Sequence, residues 1–114
     1  MFFIYMLRCT DGSLYSGITT DIERRFREHA AKDGKGAKYT ASHRPVGVAS
    51  LWQTEEKKDA MRLEYRLKKL VKADKEKLVA EPMKLDKYFD GKLDCSLFSV
   101  CEIPEELKIN ERRD

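Results

Sequence analysis

The chain has 114 residues, of which 38% are charged and 41% are apolar, and its formal net charge is +3. This length suits one small two-layer core, and the apolar fraction is too high for a disordered chain. The longest apolar run, residues 1–7, is far shorter than the ~20 residues of a membrane helix and has no basic leader of the kind that precedes a signal peptide. We therefore expect a cytoplasmic protein. In that compartment its three cysteines are expected to be free thiols.

Three strands are predicted in the first half of the chain. Residues 2–7 form an apolar, aromatic run, and residues 14–18 follow it after the Asp-Gly dipeptide at 11–12, which is typical of a hairpin turn. The β-branched, apolar segment 46–53 is the third strand. A hairpin with so short a turn makes the sheet at least partly antiparallel.

Three helices are predicted around these strands. Thr20 and Glu23 fit a capping box with Thr20 as the N-cap, which begins a helix over about 21–31. A strongly helical composition covers 55–71, and a shorter helix follows over 72–80. The order β-β-α-β-α-α indicates an α/β (α+β) fold in which helices flank a small three-stranded sheet.

The charge distribution divides the chain at Pro82. Residues 1–81 carry 17 basic and 12 acidic side chains, whereas residues 82–114 carry 6 basic and 8 acidic ones. We therefore predict one domain over 1–81 and a mildly acidic C-terminal extension of unknown role over 82–114. Basic clusters at 24–44 and 62–77 point to a polyanionic partner, although ion pairs on a solvated helix face explain the same pattern.

Five polar side chains interrupt the apolar pattern. Arg25 and His29 lie one turn apart on the first helix, where a surface pair is the simpler interpretation. Glu64 falls within the apolar stripe of the second helix, so its carboxylate must pair with a basic residue or hold a metal. Tyr5 and Tyr15 lie on adjacent hairpin strands, where an ordinary cross-strand aromatic pair is the alternative to a functional one.

Together these residues resemble the GIY-YIG nuclease superfamily. The resemblance covers roughly residues 2 to 80, and its motifs are Phe3-Ile4-Tyr5, Tyr15-Ser16-Gly17, Arg25 with His29, and Glu64. Phe3 and Ser16 depart from the first Gly and the second Ile of the family name, at positions that are not catalytic in the family. The resemblance to small stand-alone bacterial members implies the GIY-YIG type of fold for residues 1–81.

The resemblance also implies a metal-dependent DNA endonuclease that hydrolyses phosphodiester bonds, in DNA repair or recombination. Glu64 would hold one Mg²⁺ or Mn²⁺ ion whose other positions are taken by water and phosphate. Tyr15, or Tyr5 beside it, would orient or deprotonate the attacking water, which requires nearby cations to lower a tyrosine pKa from about 10. Arg25 would bind the phosphoryl oxygens, and His29 would transfer a proton or hold a tyrosine hydroxyl.

Basic side chains near these residues would bind the DNA backbone with little sequence preference. The expected contacts are Arg24, Arg27, Lys32, Lys35, Lys38, Arg44 and Lys68. The alternative is a module that keeps the fold and binds nucleic acid without cleaving it. No pattern in the sequence specifies an oligomeric state or a membrane partner.

Overall fold

The structure is a computed structural model that describes residues 1–31 and 44–109. Within these two ranges its elements are β1 (Phe2–Cys9), β2 (Leu14–Thr19), α1 (Ile22–Ala30), β3 (Pro45–Thr54), α2 (Lys57–Lys69), α3 (Lys72–Ala80), α4 (Leu85–Phe89) and β4 (Ser99–Val100). Short 3₁₀ turns lie at Cys95–Leu97 and Glu105–Leu107. None of the helices in the described ranges combines the length and the hydropathy that crossing a bilayer requires.

The strands form one antiparallel sheet in the order β2-β1-β3-β4, with helices on its faces. This confirms the predicted α/β class with an antiparallel sheet flanked by helices. The predicted count of three strands is wrong, because Ser99 and Val100 pair with Gln53 and Trp52 as a fourth strand. Two residues are too few to show the period-2 pattern of a strand, so this pairing depends on the exposed edge that β3 offers.

The hairpin turn and the start of α1 are set by local interactions. Gly12 has a φ of +86°, the left-handed conformation that glycine adopts most readily. The predicted N-cap Thr20 is wrong, because the cap is Asp21, whose carboxylate accepts a hydrogen bond from the Arg24 N–H. Thr19 supports this turn, since its hydroxyl accepts from the Asp21 N–H at 3.1 Å. Threonine and aspartate both cap helices well, so residue type alone does not choose between neighbouring positions.

The two faces of the sheet bury different clusters. On one face α2, α3 and α4 pack around Ile4, Met6 and Trp52, which are fully buried. On the other face α1 and the C-terminal segment pack around Tyr5 and Leu107. Successive side chains of a strand point to opposite faces, which is why Tyr5 lies on the α1 side. The outer strand β2 is therefore a sheet edge with α1 on one face and α2 on the other.

The C-terminal region packs on both faces of this sheet. Leu85 and Phe89 join the cluster beneath α2, and Leu107 joins the cluster beneath α1. Trp52 is fully buried in the core, and its indole N–H donates to the Pro82 carbonyl at 2.9 Å. The division of the chain at Pro82 stays a prediction about domain organisation.

A cluster of charged side chains joins the hairpin to α3. Glu76 accepts two hydrogen bonds from Arg8, one of them 2.6 Å long, and another from Lys72 at 2.7 Å. Both cations also donate to the Gly12 carbonyl, at 3.0 and 2.8 Å. These hydrogen bonds, chiefly those from Arg8, lower the pKa of Glu76 to about 2.

We expect Glu76→Gln to lower the free energy of unfolding at pH 7 by about 1 kcal/mol, a modest figure because the carboxylate is partly exposed and screened by solvent. The folded-state pKa of Glu76 lies below the unfolded value of about 4.3, so its contribution is present above that value and is lost as the pH falls toward 2. Urea unfolding should therefore show a difference between the two proteins at pH 7 that shrinks at pH 3. Glu102→Gln, which changes an exposed carboxylate, is the control. An equal difference for Glu76→Gln at both pH values would contradict the attribution of this stability to the ionised Glu76 carboxylate.

Candidate active site

The ring of Tyr5 extends across the outer strand of the sheet. Tyr5 is directly opposite Gly17 in the β1–β2 register. A Cβ added to Gly17 would lie 2.3 Å from the Tyr5 hydroxyl and 2.5 Å from its Cζ, closer than real Cβ contacts come. Glycine at this position therefore leaves the space through which a buried tyrosine brings its hydroxyl to the edge of the sheet.

His29 lies between the two tyrosines. Tyr15 is opposite Leu7, one pair further along the same face, so the two tyrosines are diagonal neighbours and not a directly opposite pair. The His29 ring makes edge contacts with both, with centroid distances of 5.0 Å to Tyr15 and 6.0 Å to Tyr5. His29 is 2% exposed, so the simpler interpretation of it as a solvated surface residue is wrong.

The Tyr5 hydroxyl contacts His29 and lies near the charge of Arg25. It is 3.0 Å from His29 Nε2, and the nearby guanidinium of Arg25 acts to lower the pKa of Tyr5. The hydroxyl donates to Nε2 when the neutral His29 ring carries its proton on Nδ1, and it accepts when the proton is on Nε2.

Burial keeps both His29 and Tyr5 uncharged at neutral pH. Desolvation, followed by the nearby charge of Arg25, lowers the pKa of His29 to about 4. Desolvation also raises the pKa of Tyr5 to about 12, and this outweighs the opposing hydrogen bond from Arg25. The lowered tyrosine pKa that a general base requires is therefore not found at Tyr5.

Arg25 is held at a cleft beside this network. Its Nη1 donates to Glu28 Oε1 at 2.8 Å, which is the main reason that the pKa of Glu28 is lowered. The cleft has a volume of about 360 Å³ and is lined by Phe2, Ile18, Thr19, Thr20, Arg24, Arg25, Glu28 and Lys57. Two charged residues of this cleft were not predicted from the sequence. The i,i+3 spacing from Arg25 could have revealed Glu28, whereas no local signal exists for Lys57.

Glu64 lies on α2, which packs on the opposite face of the sheet from α1. Its charge is the smallest of the effects on Tyr5, and it raises the pKa of that residue. The Glu64 side chain is 22% exposed and forms an ion pair with Lys68 Nζ at 3.3 Å, one of the two interpretations that the sequence left open. Residues 1–31 and 44–109 contain no group of three or more potential protein ligands for a metal ion, so Glu64 would be a single-carboxylate site.

The residues expected to bind the DNA backbone are spread over several elements. Arg24 and Arg27 are exposed on α1, and Arg44 is exposed where the chain enters β3. Lys68 is exposed on α2 but paired with Glu64. Three of the predicted contacts, Lys32, Lys35 and Lys38, lie outside the described residues. The structure thus brings Tyr5, Tyr15, Arg25, His29 and Glu64 to one sheet edge, with Arg24 and Lys68 beside them.

Comparison with known proteins identifies a domain family and a group of similar proteins. The family described as the GIY-YIG catalytic domain matches residues 1–77. The UPF0213 protein BH0048 of Halalkalibacterium halodurans is 46% identical over 78 residues, which cover 68% of this chain and 81% of that protein. A UPF0213 protein of Halobacterium salinarum is also 46% identical over 78 residues, which cover 68% of this chain and 99% of that protein.

A solved structure of a similar protein is also known. The solution NMR structure of the UPF0213 protein BH0048 from Bacillus halodurans has 41% sequence identity to this chain and a TM-score of 0.42. The alignment covers 81% of this chain and 92% of that one.

We expect Gly17→Ala to displace the Tyr5 ring and to expose His29. The new Cβ should lower the free energy of unfolding by about 2 kcal/mol through overpacking, and the pKa of His29 should rise from about 4 toward about 6.5. An NMR titration of the imidazole signals measures this, with His43 as the second histidine of the chain. Gly91→Ala is the control, because its φ of +78° makes the substitution strained but no atom lies near the added Cβ. If the pKa of His29 stays near 4 in Gly17→Ala, Gly17 is not what allows the Tyr5 ring to bury His29.

Proposed function

This chain belongs to the GIY-YIG catalytic domain family, which implies an endonuclease-type activity on nucleic acid, and on that premise we propose that it is a metal-dependent DNA endonuclease. The reaction is hydrolysis of a phosphodiester bond. One observation carries the proposal: the Tyr5 hydroxyl is hydrogen-bonded to His29 and lies near the charge of Arg25, at the sheet edge that Tyr15 and Glu64 also reach. We propose on the same premise that the substrate arises in DNA repair or recombination.

Arg25 is the side chain best suited to bind the scissile phosphate. A guanidinium has five N–H donors, and the hydrogen bond to Glu28 occupies only part of them. Because Glu28 holds the guanidinium at the cleft, its other donors are oriented before substrate binds. Donors held in this way stabilise the negative charge that develops on the phosphoryl oxygens in the transition state.

Tyr15 is the better candidate for orienting the attacking water. The Tyr5 hydroxyl is hydrogen-bonded to His29, and its pKa of about 12 keeps it protonated at neutral pH. We therefore assign Tyr5 and His29 to positioning, with His29 also packing against the ring of Tyr15. Of the two roles predicted for His29, the geometry favours holding a tyrosine hydroxyl over proton transfer, because a pKa near 4 leaves the ring neutral.

Glu64 would hold the divalent cation, Mg²⁺ or Mn²⁺. A single carboxylate suits Mg²⁺, which usually keeps several waters and combines one or two carboxylates with substrate phosphates. When bound, the cation supplies Lewis acidity to the phosphoryl oxygens and the leaving oxygen. Lys68 neutralises this carboxylate in the structure, and once released its ammonium group can bind the DNA backbone.

The test is a cleavage assay on end-labelled single-stranded, duplex, flap and branched DNA, with Mg²⁺ or Mn²⁺ and with a chelator. We expect Glu64→Gln and Arg25→Ala to reduce the cleavage rate by about 100-fold or more, as loss of a transition-state contact does. Glu102→Gln, which changes an exposed carboxylate of the C-terminal segment in the same way, should cleave at the original rate. Undiminished cleavage by Glu64→Gln would exclude its role as the metal ligand.

Affinity for uncleaved DNA separates the two candidate functions. Binding measured in chelator should weaken as salt is raised, because the contacts are to phosphates. Salt-sensitive binding with no cleavage in any metal or on any substrate of the panel would support the non-cleaving module instead.

A further inference from the structure

Helix α2 carries a cationic surface on the side that is turned away from the sheet. Consecutive residues of a helix are about 100° apart, so Tyr65 leaves α2 on a different side from Glu64. Tyr65 and Met61, one turn apart, are 56% and 51% exposed, an apolar surface that the fold does not cover. Arg66 and Lys69 lie over the Tyr65 ring, with distances of 5.8 and 5.2 Å to its centroid.

Tyr65 and Met61 border a cavity of about 470 Å³ between α2 and residues 92–93. Four of the side chains that line this cavity are cationic and none is acidic; the cations are Lys58, Arg62, Arg66 and Lys92. Arg66 and Lys92 form no ion pair with a carboxylate in the part of the chain that the structure describes. The cavity is therefore complementary in charge to an anion, and its apolar lining includes the aromatic ring of Tyr65.

We propose that this cavity binds one nucleotide of a single-stranded nucleic acid, an inference that rests on the nuclease function proposed above. The base stacks on Tyr65, and Arg66 and Lys92 bind the adjoining phosphates, which is the combination that single-strand binding sites use. An unpaired base is required, because the faces of a base in a duplex are covered by its neighbours. A strand that passes the active site at Glu64 continues onto Tyr65 across the same helix, so this contact would select substrates with an unpaired segment beside the cut.

The experiment is fluorescence anisotropy with labelled oligo(dT), oligo(U) and a duplex of equal length, using the full chain in chelator so that no cleavage occurs. We expect Tyr65→Ala to weaken oligo(dT) binding by about 10-fold and to leave duplex binding unchanged, since loss of stacking affects unpaired bases only. Tyr65→Phe, which keeps the ring, should bind like the original protein. Tyr88→Ala is the matched control, because Tyr88 also has a lysine over its ring, at 5.8 Å, but lies outside the cavity.

The charge contribution is tested in the same assay. Lys92→Met should weaken single-strand binding, whereas Lys84→Met, whose ammonium is paired with Glu81 at 3.2 Å, should not. The oligo(dT) and oligo(U) arms tell whether the bound strand is DNA or RNA. Unchanged oligo affinity in Tyr65→Ala, an equal loss on the duplex, or no nucleic-acid binding at all would overturn the proposal.

These outcomes are independent of catalysis. In a Glu64→Gln background the assay still reports binding at Tyr65. The prediction of single-strand binding at the cavity can therefore prove wrong while the unmodified chain still cleaves DNA. Conversely, cleavage can be absent while Tyr65 still binds single strands.

Discussion

The geometry of the candidate site depends on one contact, the ring of Tyr5 lying across Gly17. Because β2 is the outer strand, a ring that crosses it carries its hydroxyl from the buried interior of the sheet to the edge. At this edge the hydroxyl of a β1 residue lies 3.0 Å from His29 of α1, and the charges of Arg25 in α1 and Glu64 in α2 act on its pKa. A side chain at position 17 would occupy the space of the Tyr5 hydroxyl and would displace that hydroxyl from His29 of α1.

Burial also separates the charged groups of the site from the neutral ones. The same desolvation raises the pKa of Tyr5 and lowers that of His29, so both are neutral hydrogen-bonding groups at pH 7. The charge is left to Arg25 on one side of the edge and to Glu64 on the other. In the mechanism that we propose, the phosphate and the divalent cation would therefore have separate partners, Arg25 and Glu64.

Helix α2 combines three roles because consecutive side chains of an α-helix point in different directions around its axis. Leu63 and Leu67 lie in the core, Glu64 is half-buried toward the sheet edge, and Tyr65 faces solvent above a cationic cavity. Lys92 and Leu93, which close that cavity, come from the segment after α4. The C-terminal region thus adds a strand, core side chains and one wall of a surface cavity to the structure that the first 80 residues form.

Where a segment has a clear period or a strong composition, its sequence predicted the element: the apolar period predicted α1 and α2, and composition predicted β3. Glu64 could be recognised because a carboxylate interrupts an apolar stripe. The family motif identified Tyr5, Tyr15, Arg25 and His29 as a set. The two-residue β4 and the five-residue α4 contain less than a recognisable pattern, so tertiary contacts decide them. The burial of His29, the position of Tyr5 over Gly17 and the protonation of both depend on strand register and on which helix face meets the sheet. Residue types establish which groups are present, but their distances and their desolvation exist only after distant segments have packed together.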